Sequence, residues 1–259
     1  PSSHGLRYNG APLPLNARTF VERLAENGYR TSLIGKSHLQ NMTGGPPEWL
    51  PSEDNFAVDE NGFPCEAVRY NLDGSDYQNE NSQKWETNPD HEINLPFYGF
   101  DHAEICTMHA DRTGGAYLHW IEQKQPDYKS LRGRENALPD NRISTPQAWR
   151  TAMPEELYST AYISTRTIDY LENHAADHKD SPFFIQCSFP DPHHPFTPPG
   201  KYWDMYDPAS IPLPEWFNEG MSPITQHLRS ELENGTAIRE SQMPYAVTRR
   251  EAQEAIALT

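Results

Sequence analysis

The chain has 259 residues, a formal net charge of −16, 36% apolar residues and 24 prolines. That length can bury a core as one large α/β domain or two small ones, and the prolines commit much of it to loops. The acidic balance argues against nucleic acid or an anionic membrane surface as partner, and no apolar run approaches the roughly 18 residues of a membrane helix.

The chain opens Pro1-Ser-Ser-His4 with no Met and no leader pattern, so any targeting information is expected to lie outside it. The first clear element is a helix over 19–27. Thr19-Phe-Val-Glu22 is a capping box, Phe20, Val21, Leu24 and Ala25 form an apolar face, and Asn27-Gly28 supplies the left-handed cap. Thr31-Ser-Leu-Ile34 then reads as a buried strand, predicted over 31–35. Residues 40–95 are rich in Asn, Asp, Pro, Gly and Glu without a sustained period, which predicts an irregular functional excursion over the carboxyl end of the sheet. Phe97-Tyr-Gly-Phe100 opens the next strand and Gly115-Ala-Tyr-Leu-His-Trp120 a helix.

A second helix is predicted over 155–176, with Leu157, Ala161, Ser164, Ile168, Leu171 and Ala175 on its apolar face. Phe183-Phe-Ile-Gln-Cys-Ser-Phe189 follows, non-alternating and aromatic, as a central strand covered on both faces. Two helix-to-strand units imply a mostly parallel sheet flanked by helices. Residues 190–245 are Pro-rich, and Thr248-Arg-Arg-Glu251 caps a last helix-like run in which the chain stops. The whole reads as a single incomplete α/β domain over 1–259, an internal piece of a longer protein. Cys65, Cys106 and Cys187 stand in unrelated contexts and make neither a disulfide framework nor a zinc knuckle.

Ligands of open parallel sheets bind beyond the carboxyl ends of the strands. There the first strand places Lys36 and His38, and the second Pro190-Asp-Pro-His-His-Pro-Phe-Thr-Pro-Pro199. Prolines should hold His193 and His194 in an extended, rigid segment, in which adjacent side chains point to opposite sides. Lys36 and His38, two apart on extended chain, should face one pocket, and with His193 they are expected to surround a tetrahedral anion. Each positive charge about 4 Å from such an anion contributes on the order of 4 kcal/mol at an effective dielectric near 20. Asp101, His102, His109 and Asp111 form a second polar cluster. Their irregular spacing reads as a solvated loop, with a substrate-selecting role as the alternative.

These segments carry a specific resemblance. "GYRTSLIGKSH" resembles the second sulfatase signature, a Gly-aromatic-x-Thr strand leading into Gly-Lys-x-His. "SFPDPHHPFTPP" is similar to the sulfatase segment around Pro-His-x-Pro-Phe, in the same order and separation, and "HGLRYNGAPLP" is similar to the stretch that follows the nucleophile motif.

The resemblance implies an alkaline-phosphatase-like fold and sulfate monoester hydrolysis on an aryl or carbohydrate carrier. It implies a formylglycine made from Cys or Ser in Cys/Ser-x-Pro-x-Arg, and a divalent cation, usually calcium, held by carboxylates at both ends of the domain. It also implies that Lys36 and His38 contact the nucleophile hydrate and the sulfate oxygens, and that His193 faces the leaving-group oxygen. Asn9 and His194 are the further substrate-binding candidates. No cysteine here stands in Cys-x-Pro-x-Arg and no metal-ligand motif is present, so the formylglycine and most metal ligands are expected outside this chain, with no metal ligand assigned within it. The expected partner is a small-molecule or glycan sulfate ester. The alternatives are a phosphonate or phosphate ester hydrolase of the same superfamily and a non-catalytic binder of sulfated glycans.

Overall fold

The computed structural model describes residues 10–43, 74–218, 222–236 and 247–259. The chain divides into two compact units. The first holds the residues up to Met108 with Thr113–Lys124 and Ser159–Pro190; the second holds His109–Arg112, Gln125–Tyr158 and Asp191–Thr259.

In the first unit, α1 (Phe20–Glu26) leads into β1 (Arg30–Lys36). Thr19 caps the helix: its hydroxyl accepts from the Glu22 amide at 3.1 Å, and the Glu22 carboxylate accepts from the Thr19 amide at 3.2 Å. Gly28 turns the chain at φ 83°, as its sequence position predicts. Then come α2 (Ser82–Thr87), β2 (His102–Thr107), β3 (Gly114–Gly115), α3 (Ala116–Lys124), α4 (Ser159–Asp177) and β4 (Phe183–Ser188). The sheet order is β3-β2-β1-β4. β1 runs parallel to β2 and to β4, with Gly35 opposite Ser188 and Lys36 opposite Cys106, while β3 is antiparallel to β2. The predicted parallel pairing of 31–35 with 183–188 is therefore present, and the carboxyl ends of three strands lie along one edge.

The core beside α1 joins Val21, Leu33, Phe97, Tyr98, Phe100 and Ile105. Fully burying an aliphatic side chain such as Leu33 or Ile105 contributes about 2 kcal/mol. Around α3 and α4, the Tyr117 and Trp120 rings approach Tyr162 with centroids 5.8 and 5.4 Å away.

Several expectations need correction. Among the described residues the strand over 183–188 lies at the sheet edge rather than its centre, with Phe183 42% exposed; β1 and β2 are the inner strands. An aromatic run reads alike at both positions because it counts apolarity and not neighbours. α4 begins at Ser159, after a 3₁₀ turn at Glu155–Leu157. It buries Tyr162, Ile163, Tyr170 and His174 and leaves Ile168 exposed. The inward aromatic side chains carry polar tips with partners, the Tyr162 hydroxyl donating to Glu104 at 2.8 Å, so a count of purely apolar residues misjudged the face. Phe20 is likewise exposed, resting edge-on against Phe184. Phe97 and Phe100 form an isolated antiparallel bridge, and the strand itself starts at His102.

The second unit is largely loop, with isolated bridges pairing Leu138 with Arg150 and Ala148 with Phe196. It also carries α5 (Pro223–Glu233), a helix the Pro-rich composition hid, and α6 (Arg249–Ala257), opened by the expected Thr248–Glu251 capping box. Glu254 on α6 is buried, and one of its oxygens accepts from the amides of Ser144 and Thr145 at 2.7 and 2.8 Å. Among the described residues, no helix is long and apolar enough to cross a membrane.

Candidate active site

Strand β1 delivers its motif through a glycine that no other residue can replace without displacement. Gly35 has φ 111°, and a Cβ there would sit 1.9 Å from the Ser188 carbonyl oxygen. The next residue, Lys36, is 8% exposed, and its ammonium donates to the Met108 carbonyl at 2.8 Å. That bond joins the chain leaving β1 to the chain leaving β2. Met108 itself lies at φ 57°, a left-handed backbone rare for its type.

Beyond Lys36, Ser37 is buried and His38 is exposed. The segment is held from the described part of the 40–95 excursion. The fully buried Glu80 accepts from the Ser37 hydroxyl with one carboxyl oxygen and from the Gln40 amide with the other. The Gln40 side chain donates to the Asp76 carbonyl at 2.9 Å and accepts from the Asn79 amide at 2.9 Å. Burial pushes the Glu80 carboxyl up to about 7, against the opposing pull of the Ser37 hydroxyl, the Gln40 amide and the Lys36 charge. The described part of the excursion thus lies at the carboxyl end of β1. Residues 44–73, with Cys65, and the candidate Asn9 fall outside the described residues.

The other candidates belong to the second unit. His193 is exposed and His194 half-buried, in turns and bends rather than the expected extended segment. Their rings consequently lie together, with centroids 4.2 Å apart, instead of on opposite sides. His193 Nδ1 is 2.5 Å from the His194 carbonyl oxygen. A carbonyl only accepts, so Nδ1 carries the proton and Nε2 is the nitrogen that can exchange one. On its other side His193 meets His109, ring centroids 3.8 Å apart and planes 16° from parallel.

The polar cluster around residues 101–111 is not the solvated loop its spacing implied. His102 lies in β2, stacked on Tyr170 and 3.2 Å from Glu104. Burial works to raise the Glu104 carboxyl, but His102, Arg166 and Tyr162 together hold it down at about 2. Asp111 is 2% exposed, and its Oδ2 accepts from the Gly133 amide, the Trp149 indole and the Thr151 hydroxyl at 3.1, 2.9 and 2.8 Å. Its own amide donates to Thr197 Oγ1 at 3.2 Å, and that hydroxyl meets the Tyr158 hydroxyl at 2.9 Å. Asp111 thereby ties the turn carrying His109 to the turn carrying His193. Sequence reasoning missed Ser37, Gln40, Glu80 and the anchoring role of Asp111. Each sits in a polar stretch where only the fold distinguishes a buried anchor from a solvated side chain.

A family model described as Sulfatase matches residues 1–234, and the chain belongs to the sulfatase family. It is 35% identical over 107 residues to an arylsulfatase of Clostridium perfringens, covering 40% of this chain and 20% of that protein. It is 26% identical over 187 residues to the uncharacterised sulfatase YidJ of Escherichia coli K12, covering 71% of this chain and 31% of that one. Among solved structures it resembles the phosphonate monoester hydrolase of Agrobacterium radiobacter, with a TM-score of 0.55 and 18% identity over 99% of this chain and 43% of the other. The fold is alkaline-phosphatase-like, and the chain spans less than a third of the curated relatives it matches.

The family resemblance implies a divalent cation and a formylglycine. Among the described residues no group of three or more His, Cys, Asp or Glu side chains is placed to hold a metal ion. Cys106 is fully buried, which pushes its thiol up, and neither it nor the exposed Cys187 stands in Cys-x-Pro-x-Arg. Neither group fits the described residues.

Proposed function

We propose that the full-length protein hydrolyses sulfate monoesters of aryl or carbohydrate alcohols, with Lys36 and His38 serving the anion and His193 the leaving group. The observation that carries this reading is a buried lysine at the carboxyl end of the inner strand β1, held against the Met108 carbonyl, in a chain of the sulfatase family.

In sulfate monoester hydrolysis the bond between sulfur and the ester oxygen breaks, a new S–O bond forms, and the electron pair leaves on the ester oxygen. Lys36 places a fixed positive charge where negative charge accumulates on the sulfuryl oxygens. Fixed groups of this kind stabilise a transition state because they need no reorganisation during the reaction. His38 adds an exposed imidazole beside that lysine. His193, with Nδ1 committed to the His194 carbonyl, is assigned to give a proton from Nε2 to the departing oxygen. Asn9 and His194 are assigned to substrate binding, and the formylglycine and a divalent cation, usually calcium, to parts of the full-length protein other than the described residues. A sulfate monoester carries a single negative charge. One ammonium and imidazoles suit it better than a more highly charged phosphate monoester.

The test is turnover of 4-nitrophenyl sulfate, 4-nitrophenyl phosphate and a 4-nitrophenyl phosphonate monoester by the full-length protein. The reading expects the highest kcat/KM on the sulfate. A clear preference for the phosphonate would replace it with the phosphonate hydrolase reading. Binding of sulfated glycans without turnover of any ester would replace it with a binder.

A further inference from the structure

The structure assigns Glu80 a positioning role: its carboxyl group latches the Ser37–Gln40 segment so that His38 is presented beyond Lys36 at the end of β1. The assignment rests on the reading of Lys36 and His38 given above and extends it to a residue in a stretch with no recognisable motif.

The geometry is that of a clamp. Glu80 is 0% exposed, and its two oxygens engage the Ser37 hydroxyl and the Gln40 amide, one on each side of His38. Gln40 is also 0% exposed and is held in turn. Its amide group bonds the Asp76 carbonyl at 2.9 Å, and its oxygen accepts from the Asn79 amide and the Asn79 side chain at 2.9 and 3.2 Å. Asn79 is fixed on its far side, accepting the Asn94 amide at 2.7 Å through its side chain and the Trp85 indole at 2.8 Å through its carbonyl. Between two anchored, buried residues the chain has little freedom, and His38 is the exposed one of the four.

A buried carboxyl is costly to keep unless its oxygens are bonded. Here both are bonded to the segment that carries a candidate site residue. The same burial raises the carboxyl toward neutrality, so the clamp works through hydrogen bonds rather than as a fixed counter-charge for Lys36. Glutamine satisfies the same pattern: its carbonyl oxygen accepts from the Gln40 amide while its NH₂ donates to the Ser37 hydroxyl, which can accept.

The test compares full-length wild type, Glu80→Ala, Glu80→Gln and Ser37→Ala, using 4-nitrophenyl sulfate turnover and amide hydrogen exchange of Leu39 and Gln40. Loss of the clamp should lower kcat about a hundredfold in Glu80→Ala with a much smaller change in KM, the scale set by ångström-level misplacement of a catalytic group. Exchange at Leu39 and Gln40 should accelerate in the same variant. Glu80→Gln should restore both readouts to near wild type, and Ser37→Ala should fall between. If Glu80→Ala does not fold, Ser37→Ala and Glu80→Gln carry the decision. Unchanged exchange in Glu80→Ala, or in Ser37→Ala where it has to stand in, overturns the latch. So does damage by Glu80→Gln as severe as that by Glu80→Ala, which would mean that charge is required. A wild type without sulfate esterase activity defeats the functional reading, while the exchange measurements still decide the latch.

Discussion

The imidazole rings of His109 and His193 stack face to face, their centroids 3.8 Å apart and their planes 16° from parallel. The two residues lie far apart in sequence, and the buried Asp111 brings their turns together by donating a hydrogen bond from its backbone N–H to the Thr197 hydroxyl. A stacked partner limits rotation of the His193 ring, while the Nδ1 bond to the His194 carbonyl sets which nitrogen carries the proton. Orientation and tautomer are both requirements of a proton donor.

This arrangement has a direct spectroscopic consequence. An aromatic ring held over another shields its protons, so His109→Ala should move the His193 ring-proton signals downfield. In the same variant, kcat for a sulfate ester should fall about tenfold, less than the roughly hundredfold or more that losing the general acid itself would cost. His109→Phe should keep much of the activity because a flat partner remains. Unmoved His193 signals would show that the rings do not stack in solution.

Two carboxyls in the first unit, the buried Glu80 and the half-buried Glu104, predict opposite pH dependences of stability. Glu80 titrates at about 7 in the folded chain against an ordinary value of 4.5. The folded state therefore holds its proton more tightly, and its contribution is complete below 4.5 and lost as pH rises through 7. The loss is on the order of 3 kcal/mol. Glu104 is held at about 2 by His102, Arg166 and Tyr162. Its contribution is complete above 4.5 and lost as pH falls toward 2. Urea unfolding midpoints measured from pH 3 to 8 should therefore decline on both sides of a maximum near 4.5. Glu80→Gln should flatten the alkaline side, and Glu104→Gln the acid side.

Gly35 gives a packing prediction. A Cβ at this position would collide with the Ser188 carbonyl, and the backbone φ of 111° is strained for any other residue. Gly35→Ala should cost on the order of 3 kcal/mol, combining overpacking with backbone strain. Thermal melting should show it, while Gly28→Ala, with nothing within 4 Å of its Cβ, should cost less. Equal losses would mean that the β1–β4 contact is looser than described.

What was legible in the sequence follows from how local each signal is. The Thr19 and Thr248 capping boxes and the Gly28 turn involve neighbours within a few residues, and they form as read. The parallel pairing of β1 with β4 was legible because each strand followed its own helix. The edge position of β4 among the described residues was not, since it depends on which strands pair beside it. Glu80 stands in Asn79-Glu-Asn-Ser82, a polar run that reads as solvated surface, yet the fold buries it completely. The histidine pair was visible as a motif, but the closeness of its rings was not, because prolines favour extended chain in general and here they accompany turns.

The most direct test of the functional account is kcat/KM for 4-nitrophenyl sulfate in the full-length protein with Lys36 and with Lys36→Met. Methionine keeps the apolar stem of this buried side chain and removes the ammonium that meets Met108. The account predicts a loss of about a hundredfold or more, the scale set by removing one preorganised group that stabilises developing negative charge, with the thermal midpoint little changed. Sulfate ester turnover at the wild-type rate in Lys36→Met would contradict it.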